Sequence, residues 1–74
     1  MKVKNDIGRR LKAERRRQGI TAKEMAEYLW GSEEQIQNLY NLEGGEVKRI
    51  SIDMVYRICR ILEVTPNWIF YGTE

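Results

Sequence analysis

The chain has 74 residues, a hydrophobic fraction of 42% and a net charge of +2, which suit one small folded domain rather than a disordered tail. It contains no histidine and a single cysteine, Cys59. This composition excludes a Cys/His zinc site, a disulfide within the chain and Ser-His or Cys-His catalysis. We therefore expect a single domain over residues 1–74 that is not an enzyme and uses neither cofactor nor metal.

The charge changes sign along the chain. Residues 1–30 contain nine Lys/Arg and four Asp/Glu, a net of +5, whereas residues 31–74 contain four and seven, a net of −3. A basic half of this kind can follow a phosphate backbone. The sequence shows neither an apolar run of about 18 residues nor a signal peptide. We expect a cytoplasmic, nucleoid-associated protein of a bacterial or phage-infected cell, without a membrane partner.

The first predicted helix spans residues 7–18. Ile7 and Leu11 lie four residues apart and fall on one face. Gly19 is placed to end this helix in the left-handed conformation. Apart from its narrow apolar stripe, the helix is rich in basic side chains.

Two capping-box patterns follow, eleven residues apart. Thr21 with Glu24 predicts the start of a second helix, and Ser32 with Gln35 predicts the start of a third. The apolar spacing indicates these buried positions for the two helices: Met25, Ala26, Leu29, Ile36 and Leu39. A short helix, a sharp turn and a second helix form the layout of a helix-turn-helix, whose second helix can lie in the DNA major groove.

The second half of the chain contains a loop and two further helices. The loop is expected over Leu42–Glu46, and residues 47–50 are a candidate extended segment. Ser51 can cap a fourth helix, whose expected buried positions are Ile52, Val55, Ile58, Cys59 and Leu62. Thr65 and Pro66 predict the start of a fifth helix, and Gly72 its end.

Several segments resemble the phage repressor and Cro type of helix-turn-helix domain, the xenobiotic-response-element family. They are IGRRLKAERRRQGIT, KEMAEYL, the Ser32, Ile36 and Leu39 spacing, and SIDMVYRICRILEVTPNWIFYG. The resemblance covers about residues 5–72. It implies an all-α, compact five-helix bundle of lambda repressor-like fold. It also implies a transcriptional regulator that binds double-stranded DNA as a homodimer and acts as a repressor.

The resemblance also implies roles for individual residues. The positions that would face base edges are Ser32, Glu33, Glu34, Gln37, Asn38 and Asn41. The positions that would contact phosphates are Arg9, Arg10, Arg16, Thr21, Ala22, Lys23, Lys48 and Arg49. The dimer contact would involve Asn67, Trp68, Phe70 and Tyr71, since one helix face cannot bury every apolar residue from Trp68 to Tyr71.

The chain departs from the family pattern at three positions. Ala22 replaces a phosphate-binding glutamine, so only backbone N–H groups remain there. Trp30 replaces the turn glycine, and because tryptophan is poorly suited to positive φ, Gly31 is expected to reshape the turn. Tyr40 replaces the usual glutamate partner of an arginine, here Arg15. A cation–π contact with Tyr40 or a bond to Glu43 can substitute.

The polar face of the third helix has two interpretations. Gln37, Asn38 and Asn41 can read adenine edges, or they form a solvated surface. Glu33 and Glu34 can accept from cytosine, or they simply stabilise a helix start while repelling phosphates. The alternative function is therefore a protein-interaction module, anti-repressor or antitoxin-like, which keeps the fold, takes a regulatory protein as its partner and binds DNA weakly or not at all.

Overall fold

The computed structural model describes residues 6–45 and 50–72, which form five α-helices and one 3₁₀ turn. In chain order these are α1 Asp6–Arg17, α2 Ala22–Trp30, the 3₁₀ turn Glu33–Gln35, α3 Ile36–Glu43, α4 Ile52–Leu62 and α5 Pro66–Tyr71. The described ranges contain no strand, and the predicted all-α five-helix fold is confirmed.

Local signals account for the ends of the first two helices. Asp6 lies in the first turn of α1 and three arginines lie in its last turn, an arrangement that the helix dipole favours. Gly19 follows α1 with a φ of 74°. The Thr21 hydroxyl accepts from the Glu24 backbone N–H at 3.1 Å, and the Glu24 carboxylate accepts from the Thr21 N–H at 3.0 Å. The first capping box is therefore confirmed.

The second predicted capping box is wrong. The Ser32 hydroxyl accepts from the backbone N–H of Glu34 at 3.2 Å, and the Gln35 side chain instead accepts from Asn38. The chain enters α3 through a 3₁₀ turn, which is wound more tightly than an α-helix. That winding brings the Glu34 N–H rather than the Gln35 N–H to the hydroxyl. Consequently α3 begins only at Ile36.

Helix α3 also ends later than the sequence predicts. Leu42 and Glu43 are helical and buried, so a loop starting at Leu42 is wrong. Leu42 joins the core and Glu43 pairs with Arg15, and these contacts hold two more residues in the helix. Residues 47–49 of the extended segment predicted over residues 47–50 lie outside the described part of the chain.

Helices α4 and α5 begin as predicted. Ser51 and Thr65 cap them, each accepting through its hydroxyl from the backbone N–H three residues later. Ile52 was expected to be buried but is 73% exposed. Helical spacing sets the face on which a residue lies, whereas burial also requires another element to cover that end of the face. The other positions predicted on this face are buried: Val55, Ile58, Cys59 and Leu62.

One apolar core joins all five helices. Its buried side chains are Leu11, Met25, Leu29, Leu39, Leu42, Val55, Ile58, Cys59, Leu62 and Ile69. Ile36 was predicted in the core but is only half-buried. Burial raises the pKa of the Cys59 thiol, which suits a packing residue rather than a reactive one. Helix α1 contacts α3, α4 and α5, so the basic first helix is anchored on several sides.

Candidate nucleic-acid interface

A left-handed turn at Gly31 separates α2 from the 3₁₀ turn that leads into α3. Gly31 has a φ of 77°, and its N–H donates to the Glu27 carbonyl at 2.7 Å. Trp30 remains the last residue of α2, so the bulky side chain avoids the positive φ that glycine adopts readily. The left-handed residue of the turn is therefore Gly31 and not Trp30. The capping box at the other end of α2 also lowers the pKa of Glu24, because its carboxylate accepts from the Thr21 backbone N–H and interacts with the Thr21 side chain.

Helix α3 presents a row of carboxamides to solvent. Gln37 and Asn38 are exposed and Asn41 is half-buried. Gln37 Nε2 donates to Asn41 Oδ1 at 3.1 Å, and Asn38 Nδ2 donates to Gln35 Oε1. Residues three and four apart are neighbours on a helix surface, which is why these pairs meet. Gln35 was not among the residues predicted to read bases, and its three-residue spacing from Asn38 is the signal that could have included it.

Two carboxylates lie beside this amide row. Glu33 and Glu34 are exposed on the 3₁₀ turn, and neither forms an ion pair with a residue in 6–45 or 50–72. The adjacent Ser32 hydroxyl is occupied as a cap. The start of a helix favours negative charge, so their position has a local physical reason. It also leaves two negative charges next to the surface predicted to face DNA.

The residues predicted to contact phosphate differ in their surroundings. Four of them are described and exposed to solvent: Arg9, Arg16, Thr21 and Lys23. Arg9 forms an exposed ion pair with Asp6 at 3.3 Å, which water and salt weaken. Ala22 is half-buried against the core, and its methyl side chain has no group that could bond a phosphate. Lys48 and Arg49 lie outside the described residues. The phosphate role of each residue stays a prediction.

Arg10 is engaged within the protein. Its Nη1 donates to the carbonyl oxygens of Ile69 and Phe70, at 3.1 and 2.8 Å. These carbonyls lie near the C-terminal end of α5, where backbone acceptors lack partners within the helix. Arg10 therefore joins the first helix to the last, a role that no local sequence pattern indicates.

Helix α5 leaves aromatic surface exposed. Phe70 is 44% and Tyr71 72% exposed, while Ile69 is fully buried and Trp68 is half-buried against the core. The rings of Phe70 and Tyr71 have centroids 6.1 Å apart and are tilted by 48°. Asn67 is exposed on the same short helix. As the sequence indicated, α5 buries only part of its apolar run.

The described residues contain no group of three or more Cys, Asp or Glu side chains placed to hold a metal ion. Within those same ranges, no helix has both the length and the apolar character required to cross a membrane.

A capped α2, a glycine turn and an exposed α3, packed on three further helices, define a helix-turn-helix domain. The comparison with protein families agrees, since the helix-turn-helix domain family matches residues 8–74. The chain therefore belongs to the helix-turn-helix domain family, whose members are typically DNA-binding proteins rather than enzymes. Neither the curated proteins nor the solved structures gave a match.

Proposed function

We propose that the chain is a sequence-specific transcriptional regulator of the phage repressor/Cro (xenobiotic-response-element) type, a dimeric repressor that acts on double-stranded DNA at the nucleoid. The observation that carries the proposal is the exposed amide row of α3, which follows the capped α2 and the turn at Gly31. In helix-turn-helix proteins the second helix enters the major groove, and Asn or Gln pairs bidentately with adenine edges.

The proposal divides the surface between base and phosphate contacts. Base contacts are assigned to Ser32, Glu33, Glu34, Gln37, Asn38 and Asn41. Phosphate contacts are assigned to Arg9, Arg16, Thr21, Lys23, Lys48, Arg49 and the backbone at Ala22, with Arg10 the weakest candidate because its guanidinium already bonds α5. Phosphate contacts supply affinity and orientation, whereas base contacts supply sequence preference.

The proposed dimer contact is the exposed surface of α5, formed by Asn67, Trp68, Phe70 and Tyr71. The exposed rings of Phe70 and Tyr71 support it, because a partner would remove their apolar area from water. A two-fold axis would place the two copies of α3 on half-sites about one helical turn, roughly 10 bp, apart. Association would also stabilise a domain with a small core.

The test is binding to mixed genomic DNA fragments across a salt series from about 50 to 200 mM. We expect a steep linear fall of log affinity with log salt. Lys23→Ala should reduce the slope by about one while preserving sequence preference. Asn38→Ala should reduce discrimination between sequences at an unchanged slope. Undetectable binding at the lowest salt concentration would contradict the proposal.

The second candidate is a protein-interaction module on the same fold. It is favoured by Glu33 and Glu34, which are exposed and form no ion pair within residues 6–45 and 50–72, and by the missing polar side chain at Ala22. Replacing both glutamates by glutamine separates the two functions. A DNA-binding protein should then bind DNA more tightly with a steeper salt slope, because two repulsive charges are gone. A protein-interaction module should gain little DNA affinity.

A further inference from the structure

The side-chain hydrogen bonds on α3 decide which polar groups remain free for a ligand. A carboxamide has two N–H donors and one acceptor oxygen. Asn38 gives one of its N–H groups to Gln35 Oε1, and Gln37 gives one of its own to Asn41 Oδ1. Within residues 6–45 and 50–72, Asn38 and Gln37 are each left with one N–H donor and an oxygen that accepts no side-chain hydrogen bond.

This remaining pattern complements one purine better than the other. In the major groove adenine offers an acceptor, N7, beside a donor, the N6 amino group, whereas guanine offers two acceptors, N7 and O6. An amide with one donor and one acceptor matches adenine. To bond both guanine acceptors, Asn38 would have to present both N–H groups and break its bond to Gln35.

We propose that Gln35 is a specificity-determining positioning residue, which commits Asn38 to adenine over guanine by accepting one of its N–H groups. In the same way, Asn41 accepts one N–H group of Gln37 and commits Gln37 to adenine. This inference rests on the proposed function, and Gln35 itself need not touch a base.

The expected size of the effect follows from the strength of one hydrogen bond. On an exposed helix surface such an amide pair is only weakly stabilising, but contact with DNA removes water from it and strengthens it. The net contribution of a typical hydrogen bond corresponds to roughly a two- to twelvefold change in an equilibrium ratio. Loss of the Gln35 acceptor should change the adenine-to-guanine preference by that factor.

The experiment starts from duplexes selected by the wild-type chain from random double-stranded DNA. Affinities for the selected duplex and its single base-pair variants are then measured. The same measurements with Asn38→Ala identify the base pair that Asn38 reads, because discrimination between bases should disappear at that base pair. Gln35→Met keeps the length of the side chain but lacks the acceptor, whereas Gln35→Glu keeps an acceptor and adds a charge. Gln35 is exposed, and thermal melts of both variants check that they fold.

We expect adenine at the Asn38 position. Gln35→Met should lower the adenine-to-guanine affinity ratio there by roughly two- to twelvefold. Gln35→Glu should preserve that ratio while weakening binding to all sequences. A wild-type chain without DNA affinity overturns both this inference and the proposed function. A wild-type chain that selects another base at this position, or Gln35→Met that weakens all duplexes equally, overturns only the role of Gln35.

Discussion

At the scale of single residues, a buried ion pair ties α1 to α3. Arg15 Nε lies 2.7 Å from Glu43 Oε2 and Arg15 Nη2 lies 3.2 Å from Oε1, with side chains only 9% and 3% exposed. Arg15 Nη1 also donates to the Ile20 carbonyl at 2.9 Å. Of the two partners that the sequence allows for Arg15, the structure has Glu43, while Tyr40 is 50% exposed.

Removing one partner of this pair should destabilise the domain strongly. Glu43→Ala leaves the Arg15 guanidinium buried without its counter-charge, and we expect the free energy of unfolding to fall by about 3–5 kcal/mol. Urea denaturation monitored by circular dichroism measures this. The double variant Arg15→Met with Glu43→Leu should lose less than Glu43→Ala, since it buries no unpaired charge. A double variant that loses as much stability as Glu43→Ala, or more, would contradict this account.

Glu14 makes a pH-dependent contribution to stability. Hydrogen bonds from Arg17 and Gln18 lower the pKa of this carboxyl. The folded state therefore favours the charged form, and the stabilisation is present above the unfolded pKa of about 4.3 and is lost as pH falls through the lowered folded value.

Thermal melts between pH 7 and pH 3 test this contribution of Glu14. We expect Glu14→Gln to have a lower Tm than wild type at pH 7 and a smaller fall in Tm on acidification. Arg17→Met removes the hydrogen bond that is the largest cause of the shift, and should also flatten the profile. If the Tm of wild type and the Tm of Glu14→Gln fall equally on acidification, the hydrogen bonds at Glu14 contribute no acid sensitivity.

At the scale of helices, α1 and the end of α3 approach each other at Gly8. A Cβ atom placed on Gly8 would lie 1.9 Å from the Leu42 carbonyl oxygen and 2.9 Å from the Glu43 Cα. Both are backbone atoms, so the clash of a Cβ atom with them cannot be relieved by changing a side-chain rotamer. The absence of a side chain at Gly8 sets the distance between the two helices.

Gly8→Ala should therefore destabilise the domain although alanine is the better helix former. We expect a loss of about 3 kcal/mol or more, the upper end for overpacking, because the helices must move apart. Lys12→Ala, at an exposed position of α1, should stay within about 0.5 kcal/mol of wild type. Urea denaturation compares the two variants, and a Gly8→Ala protein as stable as wild type would rule out this close approach.

At the scale of the whole molecule, the excess of positive charge and the exposed Phe70–Tyr71 pair lie in different parts of the chain. The excess of cations belongs to residues 1–30, which include α1 and α2, whereas the exposed aromatic pair lies on α5. A dimer formed through α5 would lie beside Arg10, which bonds the Ile69 and Phe70 carbonyls, whereas the other proposed phosphate contacts belong to residues outside α5.

The proposed dimer can be tested by sedimentation equilibrium. Phe70→Ala with Tyr71→Ala removes two exposed rings, and the dissociation constant of the dimer should rise at least about tenfold, as for anchor residues of an interface. Tyr28→Ala removes a ring that is 54% exposed on α2 and should leave association unchanged. A wild-type chain that is monomeric at all accessible concentrations, or equal effects of the two changes, would argue against the α5 contact.

The candidate site could be predicted from the sequence only in outline. The amide positions Gln37, Asn38 and Asn41 follow from helical spacing after the turn, and the structure places them on one surface. The hydrogen bond that engages Gln35 with Asn38 depends on where the 3₁₀ turn gives way to α3. Arg10 donates to the carbonyls of two residues that lie 59 and 60 positions further along the chain, and no local pattern contains that information.

Most helix ends could be predicted from local sequence, because caps and turn glycines act through bonds between residues a few positions apart. Thr21, Gly31 and Thr65 are such signals. Which side chains are buried, and which polar groups are engaged, follows from the packing of the helices against one another. Leu42 is helical and lies in the core, whereas Ile52 is 73% exposed although its spacing places it on the apolar face of α4. Burial depends on neighbours that are distant in the chain, so spacing along a helix cannot decide it.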